Sequence, residues 1–205
     1  MTESIHIALV DDDSAVVDSL QLYFVRHCVG TSCFASAELL LASLDGGAQP
    51  DCIVSDIRMP GMSGLDLLQR LKESRSTAPL ILITGNGDIE MAVAAIKNGA
   101  FDFIEKPCDE GRLLVNVRSA ARLGRQQARD AAEIEKLRSR FDTLSPRQRQ
   151  VMGLAVVGLS NKEIAFRLDI SPKTVEIHRA GVMERMDAKS LAELVRVAMR
   201  IEVRA

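Results

Sequence analysis

With 205 residues, 47% of them hydrophobic, the chain can bury one large core or two small ones. Residues 1–122 carry 10 Lys and Arg against 17 Asp and Glu, whereas 143–205 carry 11 against 7 and 123–142 carry 5 against 4; an acidic module is joined to one able to approach a polyanion. No apolar stretch approaches the roughly 18 residues of a membrane span, and the opening Met-Thr-Glu-Ser is unlike the basic start of a signal peptide, so the expected location is the cytoplasm, away from membranes.

In chain order, residues 5–10, 52–55, 80–83 and 101–104 are short apolar runs of strand length, with 31–34 a weaker fifth. Helical periodicity fills 14–27, 36–44, 64–74 and 88–98, and a last helix starts near Asp109. Gly or Pro follows several of these segments, as helix ends require. Strand and helix alternating over about 120 residues predict a doubly wound α/β domain, a five-stranded parallel sheet covered on both faces. The last helix runs on through 116–141, free of Pro and rich in Ala, Arg, Gln and Glu, as a helical linker. The four cysteines, Cys28, Cys33, Cys52 and Cys108, form no Cys-x-x-Cys pair and no His-paired zinc spacing, and read as inert thiols.

From Ser145 the texture changes to four helices. Ser145-Pro-Arg-Gln148, Ser160-Asn-Lys-Glu163 and Ser190-Leu-Ala-Glu193 fit the capping box, in which an N-cap Ser and an acidic or amide side chain three residues on satisfy each other's backbone N–H. Ser171 precedes Pro172, an N-cap followed by Pro at the first helical position. No strand signal interrupts them. A small all-α domain is expected.

In a doubly wound sheet, ligands bind beyond the carboxyl ends of the strands. There the sequence places Asp11, Asp12 and Asp13 after the first strand, Asp56 at the end of the third, Thr84 at the end of the fourth and Lys106 after the fifth. Asp13 is expected to cap the first helix. The remaining carboxylates would repel one another unless a cation intervened. Mg²⁺ (or Mn²⁺) suits them, because it takes one or two carboxylates, a backbone carbonyl and waters, leaving room for phosphate oxygens. Lys106 and Thr84 add a charge and a hydroxyl on the far side of a phosphoryl group, a set of parts suited to phosphoryl transfer to an aspartate.

Leu-Val-Asp-Asp-Asp at 9–13, Val-Ser-Asp-Ile-Arg-Met-Pro-Gly-Met-Ser-Gly at 54–64, Ile-Thr-Gly-Asn-Gly-Asp at 83–88 and Asp-Phe-Ile-Glu-Lys-Pro at 102–107 resemble the receiver domain of two-component response regulators. The resemblance implies Asp56 as phosphoacceptor, Asp11, Asp12 and the Arg58 carbonyl as further metal ligands, and Thr84, Phe103 and Lys106 as the switch and phosphate-contact residues. It also implies a sensor histidine kinase as partner and a receiver that catalyses only its own phosphoryl transfer and dephosphorylation. An aspartate-nucleophile phosphohydrolase would want a second acid two residues after Asp56, where Arg58 stands. A scaffold indifferent to phosphorylation would be expected to have lost one member of the set.

Residues 160–186 read as helix, turn and helix, the first burying Ile164, Ala165 and Leu168. On the second, Val175, Val182 and Met186 share one side; Lys173, Glu176, Ile177, Ala180 and Glu184 share the other, which suits a major groove. Lys162, Lys173 and Arg179 are candidates for phosphates, and Glu176 for a cytosine amino group. Residues 142–203 are similar to the helix-turn-helix of the LuxR/NarL class, and 173–196 look like FixJ-type regulators. That resemblance implies DNA contacts at Lys162, Lys173, Thr174, Glu176, Ile177, His178 and Arg179, with His178 packing and donating to backbone phosphate. It further implies double-stranded DNA, a homodimer formed on phosphorylation, and RNA polymerase as partners. Gly181 departs from the resemblance, which has Asn there; a glycine inside this helix costs about 1 kcal/mol of helix stability and removes one phosphate contact. The expected organisation is a receiver over 1–122, a helical linker over 123–141 and a DNA-binding domain over 142–205.

Overall fold

A computed structural model describes residues 4–85 and 89–203. Five parallel strands, β1 (Ile5–Val10), β2 (Val29–Phe34), β3 (Cys52–Asp56), β4 (Leu80–Thr84) and β5 (Asp102–Glu105), lie in the order β2-β1-β3-β4-β5. Every residue of β3 and β4 is buried, which explains why their sequences are continuous apolar runs without alternation. Successive side chains feed opposite cores. Ile7, Leu9, Val54, Ile81 and Ile83 meet Leu20 and Phe24 of α1 (Ser14–Arg26) and Leu113, Val117 and Ala120 of α5 (Glu110–Asp142). Ala8, Val10, Ile53, Leu80 and Leu82 meet Leu40 of α2 (Ala37–Asp45), Leu67 and Leu71 of α3 (Gly64–Glu73) and Ala95 of α4 (Ile89–Lys97).

The chain leaves β1 toward β2 on one side and returns to β3 on the other. The order therefore reverses between β1 and β3, and a crevice opens there beyond the carboxyl ends of the strands. Asp13 caps α1 by accepting from the Ala15 N–H. β2 begins two residues earlier than its sequence suggests, because Val29 and Gly30 pair with Ile5 and His6. Position 88, the expected start of the fourth helix, lies outside the described residues.

The chain divides into two compact units at Arg129 and Asp130, and α5 contributes to both. In the first unit, Arg125 grips the opposite, amino-terminal end of the sheet. Its Nε and Nη2 donate to the two carboxylate oxygens of Asp51 at 2.7 Å each, and Nη2 also donates to the Ser4 carbonyl at 2.6 Å. The neighbouring Gly124 makes the approach possible: a Cβ there would lie 2.3 Å from the Asp51 carbonyl oxygen. Burial pushes the Asp51 carboxyl upward, but the Arg125 hydrogen bonds and charge and the His6 N–H outweigh it and hold the pKa below its ordinary value.

A depressed carboxylate stabilises the fold above its unfolded pKa, and that contribution disappears as pH falls through the folded value. Asp51→Asn should therefore cost about 2 kcal/mol at neutral pH. The gap from the native chain should close once the pH falls well below about 3.9. Urea unfolding of both proteins across that range measures it.

The second unit holds the end of α5 with α6 (Pro146–Val156), α7 (Asn161–Leu168), α8 (Pro172–Arg185) and α9 (Leu191–Arg200). Ser145 and Ser160 form complete capping boxes with Gln148 and Glu163, and Ser171 caps α8 with Pro172 at its first position. The box expected at Ser190 is only half formed. Ser190 accepts from the Glu193 N–H, but the Glu193 carboxylate is taken by the Lys189 N–H at 2.7 Å. Val151, Ala155, Ile164, Ala165 and Val175 pack as one core, with Leu168 only partly buried against it. Leu144, Met152, Val182, Met186 and Leu194 pack as another.

Candidate functional site

At the β1/β3 crevice, one carboxylate oxygen from each of Asp11, Asp12 and Asp56 lies within 4.8 Å of the others. Asp11 and Asp56 are each 7% exposed, while Asp12 is open to solvent. Both buried carboxylates are held rigidly. Asp11 Oδ1 accepts from the Asp13 N–H and Asp56 Oδ2 accepts from the Arg58 N–H, each at 2.9 Å.

The Lys106 ammonium lies between them, 2.8 Å from Asp11 Oδ2 and 2.8 Å from Asp56 Oδ1. The sequence suggested that Lys106 faces these acids across a phosphoryl group; the structure sets it directly against both. An ammonium on a long stem goes where the negative potential is deepest, and two adjacent buried carboxylates provide that place. Burial alone would lower the lysine's pKa, but the hydrogen bonds and charges of Asp11 and Asp56 overcome it and raise the value above its ordinary one. Lys106 therefore stays charged across the physiological range.

The backbone around Asp56 is fixed from several sides. The Ser55 hydroxyl donates to the Asp56 carbonyl at 2.8 Å, the Ile57 N–H to Ile83 at 2.9 Å, and the Gly64 N–H to Ile57 at 2.9 Å. These bonds fold the 57–63 loop back over the strand end and bring α3, capped by a Ser63–Asp66 box, against it. Gly64 is the point of closest approach, since a Cβ there would be 2.5 Å from the Asp56 carbonyl oxygen. The sequence marked Gly64 only as the opening of a helix; its packing role had no sequence signal, because a neighbour eight residues away must be known first. Thr84, 1% exposed, ends β4 beside this crevice, and its carbonyl accepts from the Lys106 N–H at 2.6 Å. Phe103 is half-buried on β5, packed against the core that contains Leu82. The four cysteines carry no disulfide, and burial pushes the Cys52, Cys33 and Cys108 thiols upward.

In the second unit, α7 and α8 meet through a turn in which Asp169 adopts a left-handed conformation. Val175, Val182 and Met186 are buried, and Lys173, Glu176, Ile177, Ala180 and Glu184 are exposed, so α8 presents one free polar face. Lys173 and Glu176 pair at 2.9 Å, Thr174 shares a hydroxyl contact with Ser171, and Arg179 donates to Asn161 Oδ1 at 2.7 Å. His178 is half-buried and Lys162 exposed. Phe166 on α7, missed in the sequence reading, is 89% exposed; a large apolar residue within an amphipathic pattern gives no sign of facing solvent.

Residues 7–118 match the response regulator receiver domain, and residues 142–198 match the luxR family of bacterial regulatory proteins. The chain belongs to the response regulators. Among their members it is 46% identical over 200 residues to the transcriptional regulatory protein FixJ of Bradyrhizobium diazoefficiens, covering 98% of this chain and 97% of that one. It is 41% identical to the response regulator protein TodT of Pseudomonas putida (strain F1), covering 96% and 86%. Of solved structures, the response regulator StyR aligns with TM-score 0.80 at 33% identity, covering 96% of this chain and 99% of that one. Full-length FixJ from B. japonicum aligns with TM-score 0.59 at 44% identity, covering 98% of each. This response regulator therefore joins a receiver to a LuxR-type DNA-binding domain and regulates transcription. Among the described residues no helix is long and apolar enough to cross a membrane.

Proposed function

We propose that this response regulator is switched by phosphorylation of Asp56. Three oxygen-donor side chains within 4.8 Å of one another, with an ammonium 2.8 Å from two of them, carry the reading. Hard carboxylate oxygens so grouped fit a magnesium ion, or manganese, held by Asp11, Asp12, Asp56 and the Arg58 carbonyl. When bound, such an ion supplies positive charge against phosphate oxygens. An Asp56 carboxylate oxygen attacks the phosphorus of a phosphohistidine on a sensor histidine kinase; the new O–P bond forms as the N–P bond breaks, and the imidazole keeps the electron pair. Lys106 exchanges a carboxylate contact for a phosphoryl oxygen, and the Thr84 hydroxyl donates to another. Its movement draws Phe103 inward and favours a pre-existing conformation of the receiver.

That conformation dimerises through the surface around residues 89–108, where Val93 and Ile96 are exposed. Pairing two DNA-binding domains sets two α8 helices at the spacing of a two-fold operator. Lys162, Lys173, Thr174, His178 and Arg179 hold the backbone while Glu176 and Ile177 read bases, and RNA polymerase is the further partner at the promoter. The assigned spans are a receiver over 1–122, a connector over 123–141 and a DNA-binding domain over 142–205, supported by the matched spans 7–118 and 142–198. The protein acts in the cytoplasm.

Acetyl phosphate with Mg²⁺ should add one phosphate, shift the protein from monomer to dimer on size exclusion and tighten its binding to promoter DNA. Chelating the metal should prevent all three. Dimerisation and DNA binding unaffected by the phosphodonor would reject the switch.

A further inference from the structure

The Gln148 carboxamide lies against the recognition helix at the one position where α8 has no side chain. A Cβ on Gly181 would stand 2.5 Å from Gln148 Nε2, so the glycine forms a socket that the amide fills. The two ends of that amide do different things. Oε1 accepts from the Ser145 N–H at 3.0 Å and completes the α6 capping box; Nε2, a double donor, has no hydrogen-bond partner among the described residues. Gln148 is half-buried, so Nε2 is not sealed away.

Gly181 follows Ile177 by four residues and precedes Glu184 by three, so the three share one stripe of the helix. Ile177 is 64% exposed and Glu184 is also exposed. The amide therefore sits on the border of the face assigned to DNA, beside the first turn of α6, whose dipole favours an anion. We propose that Gln148 is a DNA-backbone ligand: seated in the Gly181 socket, its carboxamide donates to a phosphate flanking the groove that α8 enters. Gly181 on this reading gives up its own phosphate contact so that one from α6 can take its place. The inference rests on the proposed entry of α8 into DNA and extends it to a residue outside the helix-turn-helix.

Gln148→Glu separates the two ends of the side chain. The capping oxygen is kept, and a negative charge in the first turn suits the helix dipole, so the melting temperature should hold, whereas the donor becomes an acceptor. Full-length protein treated with acetyl phosphate and Mg²⁺ should then bind a labelled mixed-sequence duplex about tenfold more weakly, by fluorescence anisotropy at low salt. Gly181→Ala, which adds no charge and removes no donor, should weaken binding in the same direction by displacing the amide. Gln148→Glu combined with Gly181→Asn returns a carboxamide to the same spot and should recover most of the affinity. Wild-type binding by both single variants would overturn the inference. Lys173→Ala is the control: if it too is silent, the assignment of α8 has failed, and if it alone weakens binding, only the role of Gln148 has.

Discussion

Asp56→Asn should leave a folded receiver that takes up phosphate from acetyl phosphate at no better than roughly a thousandth of the native rate. An amide oxygen is neither charged nor nucleophilic enough to attack phosphorus, and the substitution also removes one of the three carboxylates from the cluster. Stability should change little, by about 1 kcal/mol or less. Lys106 loses a charged partner at 2.8 Å but keeps Asp11 at the same distance, while the repulsion between Asp11 and Asp56 is relieved. Those two effects have opposite signs and similar size. Intact-mass kinetics and urea unfolding measure the pair of outcomes; native-rate labelling of the variant would remove Asp56 from the reaction, whatever its stability.

Gly64→Ala should damage both the stability of the receiver and its chemistry. Helix propensity alone predicts a gain for this change, smaller at the first helical position than the ~1 kcal/mol of a helix interior, so the sign of the result is informative. The added Cβ would stand 2.5 Å from the Asp56 carbonyl oxygen, 2.9 Å from Leu82 Cδ2 and 3.0 Å from Ile57 Cα. Two of those atoms are backbone, pinned by the Ser55 hydroxyl and the Gly64 N–H, and cannot rotate aside as a side chain could. Overpacking of this kind costs about 3 kcal/mol, which should lower the melting temperature by roughly 10 °C or more. Because the clash is with the phosphoacceptor's own peptide group, phosphate uptake by the surviving fold should slow about a hundredfold. Calorimetry and acetyl phosphate labelling test both; a melting temperature at or above the native one would show that helix and strand do not approach so closely.

Much of this architecture is legible in the sequence because it is local. Continuous apolar runs mark β3 and β4 as strands buried on both faces, and an aspartate at the end of β3 is conspicuous because the run before it has no charge. Ser145, Ser160 and Ser171 announce helix starts within four residues. What the sequence withholds is pairwise and distant. Nothing near Gly64 tells that it must clear Asp56, and nothing near Ser190 tells that Lys189 will compete for Glu193. The weak strand at 31–34 gains Val29 and Gly30 only because β1 offers them register. In the crevice the residue types were readable, but the direct contact of Lys106 with two carboxylates depends on the pairing of β5 with β4, which seats Lys106 against the Thr84 carbonyl.

The grip of Arg125 on Ser4 and Asp51 spans 121 and 74 residues of sequence. A ribosome adding about 5–20 residues per second releases the first strand long before the arginine that fastens it. Throughout that interval the amino-terminal end of the nascent sheet is held without the arginine, with the His6 N–H as the remaining partner of the Asp51 carboxylate. Completion of the receiver thus waits on the middle of its final helix, and a gene fragment ending at codon 122 would encode every strand while omitting the fastener.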